Sequence, residues 1–285
     1  MAAIAYVNGR YLPLHEASVN VEDRGYQFGD GIYEVLYVYR GRLVDAELHL
    51  QRLARSLGEI ELPSPMPPAA LHAVVLQVLR RNRIQTGLVY LQVTRGVARR
   101  DHPIPSPTPR PSLVITARRR PEPPTDITEW TAEAITLPDA RWARCDIKST
   151  NLLPNVLART AAKRAGAYEA ILFDANGNVT EGAASTVWIV TRDGTLLTRT
   201  LDQHILPGCT RLALIEELQR QGLGFEEREF SLAELREARE IFLTSATSFV
   251  KPVVRLDGAP IGNGAPGVTA TALFELYMRR LRASA

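Results

Sequence analysis

Cys145-Asp146-Ile147-Lys148-Ser149-Thr150-Asn151-Leu152-Leu153 runs from an extended segment into a helix start and carries one of three lysines in the chain. The others are Lys163 and Lys251, and every remaining member of the 34 Lys and Arg residues is arginine. Charge alone is served by arginine here, so a surviving lysine invites a chemical reading. A guanidinium stays protonated and forms no stable imine with an aldehyde. An amine does, once desolvation or neighbouring cations lower its pKa. Lys148 stands at a junction suited to reaching into a cleft, so an imine-forming lysine is weighed there against a solvated one. The solvated reading is taken for Lys163 and Lys251.

Outward from that segment, 285 residues can bury a substantial core in one large or two medium domains. The hydrophobic share of 45% and charged share of 23% are those of a soluble enzyme. A net charge of +3 beside 34 cations and 31 anions gives no nucleic-acid or membrane surface. Arg118-Arg119-Arg120 is the one tight basic run, and because it leads into Pro121-Glu122-Pro123-Pro124 it reads as a solvated linker flank. Cys145 and Cys209 form no CxxC pair and no disulfide scaffold. The amino terminus lacks a basic-apolar-small signal, and no apolar stretch approaches membrane-spanning length, so a cytoplasmic setting is expected.

The first part alternates strand and helix patterns. Ile4–Val7, a turn at Asn8-Gly9 and Arg10–Leu12 read as a hairpin, and Gly31–Tyr39 is a β-branched and aromatic strand turned by Arg40-Gly41. Leu50, Leu53 and Leu57 give the segment from Glu47 to Leu57 a helical stripe; Leu71–Arg81 is a second helix, and Leu88–Thr94 and Ser112–Ala117 flank the irregular stretch Arg95–Pro111. Residues 119–126 are too rich in proline for a helix or central strand. The expected division is therefore an N-terminal α+β domain over 1–118, a linker over 119–126 and a C-terminal domain over 127–285. In the last, Asn155–Ala165 is a helix closed by Gly166. Glu169–Phe173, Asn178–Thr180, Ser185–Val190 and Leu196-Leu197 are expected as one antiparallel meander. Leu212–Gln221 and Thr269–Arg282 are helices, with late strands at Glu240–Thr244 and Val253–Leu256.

Pro207-Gly208-Cys209-Thr210-Arg211 precedes a helix, and its glycine, unpaired first-turn amides and Thr210 hydroxyl suit a phosphate; a plain start capped by Thr210 is the alternative. Thr180-Glu181-Gly182 falls at a strand junction, where Glu181 is either a surface acid or, if Lys148 carries a pyridine aldehyde, the group that keeps the ring nitrogen protonated. Arg100 and His102, separated by one residue in a loop, can converge on a carboxylate or face solvent. Arg52 borders the Leu50–Leu53 stripe as a phosphate contact or a snorkelling arginine.

Taken in order, Glu22-Asp23-Arg24-Gly25-Tyr26-Gln27-Phe28-Gly29-Asp30-Gly31, Arg52, Arg100-Asp101-His102, Lys148-Ser149-Thr150-Asn151, Thr180-Glu181-Gly182 and Gly208-Cys209-Thr210-Arg211 resemble the fold-type IV pyridoxal-phosphate enzymes over nearly the whole chain. Within that family the resemblance is to the D-amino acid transaminases. It implies an α+β fold with a small N-terminal α/β sandwich domain and a larger C-terminal pseudo-barrel domain that binds pyridoxal 5'-phosphate. Lys148 matches the lysine that bonds the cofactor aldehyde and moves the α-proton, and Glu181 matches the acid beside the pyridine nitrogen. Arg52, Cys209 and Thr210 match the phosphate cup, and Ser185 and Thr247 are implied as further cofactor contacts. Tyr33, Arg100 and His102 match the trio that holds the substrate carboxylate. A homodimer is implied, in which the Arg100–His102 loop reaches the neighbouring subunit's site. Substrates are amino acids of the D-alanine or D-glutamate class and 2-oxo acids.

Two positions depart from the family pattern: Thr186 stands where asparagine is common, and Ala246 where a hydroxyl is common, at a cost of about 1–3 kcal/mol for one phosphate hydrogen bond. An aminodeoxychorismate lyase, a branched-chain or amine transaminase and a non-catalytic cofactor-binding protein are the competing readings. The Arg100–His102 pair argues against the transaminase alternatives, and Lys148 with Glu181 against a non-catalytic one.

Overall fold

The computed structural model describes residues 3–283. The chain packs into two compact units, the first running up to Glu122 and taking in Ile147–Asn151, the second comprising Pro123–Asp146 and Leu152–Ala283. Lys148 thus belongs to the first unit.

The first unit contains β1 (Ile4–Val7), β2 (Arg10–Pro13), α1 (Arg24–Phe28), β3 (Gly31–Tyr39), β4 (Arg42–Leu43), α2 (Ala46–Glu59), α3 (Pro68–Asn82), β5 (Gly87–Thr94) and β6 (Ser112–Arg119). Its six strands form an antiparallel sheet in the order β2-β1-β6-β5-β3-β4. Alternation along β5 buries Val89, Leu91 and Val93, and these pack with Leu53 and Leu57 of α2 and Val75 and Leu79 of α3. A sheet with one face under two helices follows directly from a period of two meeting a period of 3.6. α1 has no counterpart in the sequence pattern: it is one turn, capped by the Asp23 carboxylate on the Gly25 amide and ended by Gly29 at φ 67°. A Cβ on Gly29 would collide with the Asn151 side-chain oxygen. The Lys148 segment can lie against this turn only because that atom is missing.

The second unit contains β7 (Ala132–Pro138), α4 (Leu153–Arg164), β8 (Glu169–Phe173), β9 (Val179–Gly182), β10 (Thr186–Val190), β11 (Leu196–Thr198), α5 (Cys209–Arg220), β12 (Glu226–Glu227), α6 (Leu232–Glu237), β13 (Glu240–Ser245), β14 (Phe249–Leu256), β15 (Ala259–Pro260) and α7 (Val268–Ala283). The sheet runs β12-β11-β10-β13-β14-β7-β8-β9, with β15 on β14. β7 is parallel to both β14 and β8, and β11 to β12; the other pairs are antiparallel. β9 comes back against β10 without a ladder between them, which gives the curled, barrel-like sheet of the expected fold. Ile171, Val187, Ile189, Leu197, Ile241 and Leu243 fill its interior. Among the described residues no helix is long and apolar enough to cross a membrane.

Three expectations are corrected here. The antiparallel meander is two separate hairpins, β8–β9 and β10–β11, with β13, β14 and β7 between them in the sheet, because the buried β13 and β14 pair more extensively with β10 and β7 than β9 could. Glu181, weighed as a surface acid, is buried; Thr180-Glu181-Gly182 closes β9 at its junction toward β10. Lys251 is not solvated. It is 5% exposed in the central strand β14, opposite Leu243, with Nζ 3.5 Å from the centre of the Trp130 ring and 4.8 Å from that of Tyr168. Two aromatic faces substitute for water around its ammonium.

Candidate active site

In the first unit the Lys148 segment is fastened as an extra length of strand beside the start of β3. The Tyr33 amide donates to the Lys148 carbonyl at 3.0 Å and the Thr150 amide to the Gly31 carbonyl at 2.9 Å. The Thr150 hydroxyl donates to the Gly29 carbonyl at 2.9 Å, and the Lys148 amide to Ser56 Oγ at 3.3 Å. With its main chain held on both sides, Lys148 places Nζ 4.2 Å from the centre of the Tyr33 ring, and Tyr33 in turn stacks on Tyr90 at 5.8 Å. Burial raises the Tyr90 phenol to about 12, so it is neutral at physiological pH.

Arg52 is buried on α2, and its Nε and Nη2 each donate to Glu34 at 2.8 Å, a bidentate pair. His49, one turn earlier, contacts the same carboxylate through Nδ1 at 2.7 Å. Burial alone would raise Glu34, but Arg52 and His49 override it and hold the carboxyl at about 2. Glu34 and His49 were missed in the sequence, although an acid in the middle of an apolar β3 and a His–Arg pair at i, i+3 were visible signals. Arg100 and His102 are brought together on one ring: the Arg100 guanidinium carbon lies 5.1 Å and the His102 ring 5.6 Å from the centre of Phe28. Both side chains are exposed.

In the second unit Glu181 is buried and its carboxylate meets the Arg141 guanidinium through Nη1, while the Leu206 amide donates to both its oxygens at 3.2 Å. Burial raises the Glu181 pKa, and Arg141 and the Leu206 amide work against that rise. Arg141 is held in turn by Asp139, Nε to Oδ1 at 2.9 Å and Nη2 to Oδ2 at 2.7 Å, and Asp139 also accepts from the Thr180 hydroxyl at 2.7 Å. Neither Asp139 nor Arg141 was singled out from the sequence, because they follow β7, a strand that pattern reading passed over. Ser185 donates to Glu169 at 2.9 Å, and Thr247 is exposed, its hydroxyl 3.4 Å from that of Ser245.

Cys209 and Thr210 open α5, whose Gly208 N-cap offers no side-chain acceptor and whose first turn holds no acid. α6 shows the contrast, with Ser231 and Glu234 closing a reciprocal capping box. The uncapped, electropositive end of α5 suits an external phosphate. A Cβ on Gly208 would stand 2.8 Å from Thr186 Oγ1, so a larger residue there would have to displace that hydroxyl. Arg211, wholly buried one residue on, is ion-paired through Nη2 with Glu227 and donates to the Arg199 carbonyl at 2.8 Å, while its Nε and Nη1 have no hydrogen-bond partner. Each unit by itself fits part of a phosphorylated pyridine: the first holds a lysine that suits its aldehyde, and the second a buried acid that suits its ring nitrogen and a helix start without a side-chain cap that suits its phosphate.

Residues 31–256 match the model of the family described as amino-transferase class IV. The D-alanine aminotransferase of Listeria innocua is 40% identical over 278 residues, 96% of this chain and 95% of that protein. The D-alanine aminotransferase of Staphylococcus haemolyticus is 40% identical over 270 residues, 95% of each chain. Among solved structures, the T.th. branched-chain amino acid aminotransferase with pyridoxamine 5'-phosphate has a TM-score of 0.88 at 25% identity, covering 100% of this chain and 96% of that one. A hypothetical aminotransferase from Mycobacterium tuberculosis, in its PLP-bound form, has a TM-score of 0.83 at 26% identity, covering 99% of this chain and 100% of that one. With the family model matched over residues 31–256 and relatives about 40% identical over nearly the full length, this chain belongs to the class IV aminotransferases.

Proposed function

We propose that the protein is a pyridoxal-phosphate-dependent D-amino acid transaminase, moving the amino group of a D-alanine-class substrate to a 2-oxo acid in two half-reactions. The observation that carries this reading is the near full-length likeness to D-alanine aminotransferases, joined to the placement of Arg100 and His102 on one ring. When bound, the cofactor supplies an aldehyde that holds the substrate amine and a protonated ring that takes up the charge left at Cα.

The chain's own residues do the rest. Lys148 Nζ would hold the cofactor between turnovers and then carry the proton from the substrate Cα to the cofactor's aldehyde carbon, a transfer worth about 10²–10⁴ in rate. Its fixed main chain and the Tyr33 ring limit where that amine can go. Glu181 holds the proton at the ring nitrogen, with Arg141 and the Leu206 amide keeping the carboxylate in place. The Cys209 and Thr210 amides and the Thr210 hydroxyl bind phosphate, and Arg52, oriented by Glu34, adds a guanidinium to it. Ser185 and Thr247 complete the cofactor's surroundings, Ser185 through Glu169. Arg100, His102 and Tyr33 bind the α-carboxylate, so that one hand of the substrate turns its hydrogen toward Lys148.

The protein acts as a homodimer in the cytoplasm. Leu153, Val156 and Leu157 are 69%, 55% and 62% exposed at i, i+3 and i+4 on α4, a dry stripe suited to a second copy. Sedimentation of Leu157→Glu tests this, a monomer being expected; a dimer as tight as the parent removes α4 from the interface.

The function itself is tested by supplying the cofactor-loaded protein with 2-oxoglutarate and D-alanine, L-alanine or L-leucine, with chiral analysis of the products. Turnover of D-alanine with a D-configured product is expected. Preference for L-leucine moves the reading to the branched-chain enzymes, whose solved members share the fold. Repeated turnover of aminodeoxychorismate to pyruvate with no 2-oxo acid present, beyond the single equivalent a half-reaction yields, moves it to a lyase.

A further inference from the structure

The run Glu22–Gly31 carries part of the family resemblance, yet none of its side chains has a part in the chemistry above. The structure gives it one. Arg24 is 3% exposed at the first position of α1 and divides its guanidinium between two duties. Nη1 donates to the Asp101 carbonyl at 2.6 Å and Nη2 to the His102 carbonyl at 3.1 Å. Nε donates to Asp30 Oδ2 at 2.8 Å. That same carboxylate oxygen accepts from Arg95 Nε at 2.8 Å. Arg95 in turn donates to the Glu61 carbonyl at 3.0 Å and the Ile60 carbonyl at 2.6 Å, where α2 ends. One carboxylate between two guanidiniums leaves a surplus positive charge, and carbonyls at a helix C-terminus are where such a charge is tolerated.

The loop has little else to hold it. Main-chain bonds to the run stop at Ala98, whose amide donates to the Glu22 carbonyl at 3.4 Å. From residue 99 to residue 111, among the described residues, the hydrogen bonds that reach the loop from outside it are the two from Arg24. Phe28 supplies a platform between them: Arg24 lies 4.8 Å from its centre and Arg100 5.1 Å, with the His102 ring tilted at 5.6 Å.

We infer that Arg24 is a positioning residue for substrate-carboxylate recognition, clamping the Asp101 and His102 main chain so that Arg100 and His102 converge, with Phe28 as their shared support. The inference rests on the reading of Arg100 and His102 as the carboxylate pair. Arg24 touches no substrate; it acts through the loop, so its removal weakens binding of the carboxylate and spares the proton transfer at Lys148.

The test uses the cofactor-loaded full chain and the variants Arg24→Met, Arg24→Lys, Phe28→Leu, Arg100→Ala and the Arg24→Met/Arg100→Ala double. Arg24→Met is expected to raise the KM for D-alanine about ten- to thirtyfold with kcat within about threefold. Arg24→Lys keeps the Asp30 pair but loses the fork, and falls between parent and Met. The double variant is expected to have the KM of Arg100→Ala alone, because the tether has nothing left to position. Independently of activity, amides 99–102 should exchange about tenfold faster in Arg24→Met while those of β3 and β5 are unchanged. Factors that multiply in the double variant, an unchanged KM or unchanged exchange overturn the proposal. If Arg24→Met does not fold, Arg24→Lys and Phe28→Leu decide by the same comparison. An Arg100→Ala enzyme with the parental KM removes the carboxylate assignment and this inference with it. A raised KM there beside a parental KM in Arg24→Met removes the tether alone.

Discussion

The Lys148 ammonium faces the Tyr33 ring at 4.2 Å while the Tyr33 amide donates to the Lys148 carbonyl at 3.0 Å, so one residue fixes both ends of the other. The ring face, not the hydroxyl, makes the side-chain contact. Tyr33→Phe is therefore expected to keep the amine oriented and Tyr33→Leu to lose about 0.5–1 kcal/mol, a two- to fivefold further drop in kcat. Steady-state kinetics with D-alanine check this; equal kcat values would show that the ring does not orient Lys148.

Glu34→Gln leaves the Arg52 guanidinium buried beside a neutral amide. A loss of about 3–5 kcal/mol in urea unfolding at pH 7 is expected. The sign with pH follows from the carboxyl held at about 2 in the fold against an ordinary value of 4.5. Its stabilisation is complete above about 4.5 and disappears as pH falls through 2, because the unfolded chain takes up the proton first. The parent should lose stability across that interval faster than the variant, and parallel curves would show that Glu34 is not the responsible group.

Asp139→Asn frees Arg141 from a bidentate partner without touching Glu181. A charge-assisted bond of this kind is worth about 1.5–3 kcal/mol, so kcat should fall about ten- to a hundredfold with the KM for D-alanine little changed. A KM effect without a kcat effect would place Asp139 in substrate binding instead.

Lys251 has no carboxylate partner among the described ion pairs, and burial pushes its ammonium down to about 8 from an ordinary value of 10.5. The unfolded chain then binds the extra proton between those values, so stability rises as pH increases from about 8 to about 10.5. Lys251→Met should add about 1–3 kcal/mol at pH 7, reduced from the full shift by the Trp130 and Tyr168 faces, and should flatten that alkaline rise. Thermal unfolding at pH 7 and pH 10 measures both; a variant less stable than the parent at pH 7 contradicts the burial argument.

The sequence made much of the first unit legible because its signals are local. Asn8-Gly9 turns a hairpin, Gly31–Tyr39 is a strand at the bounds read from its side chains, and the α2 stripe needs only its own period. The second unit was less legible where pairing is distant. β7 joins β14 and β8, from far along the chain, in parallel, and nothing within Ala132–Pro138 announces those neighbours. Asp139 and Arg141 were lost with it. Lys251 was misread for a related reason: a lone lysine ordinarily seeks water, and the rings of Trp130 and Tyr168 with the Trp130 carbonyl at 3.4 Å make its burial tolerable.

By itself the sequence determined the family and the cofactor chemistry, because a lysine among arginines, a glycine-led helix start and the Glu22–Gly31 run are properties of short stretches of chain. Tertiary structure alone decided how those residues are held: Glu34 on Arg52, Arg141 on Glu181, and Arg24 across 77 residues to the carbonyl of Asp101. Such partners are chosen by which buried charges the fold brings within about 3 Å, and a buried charge must find its counterpart in space because water is no longer there to solvate it.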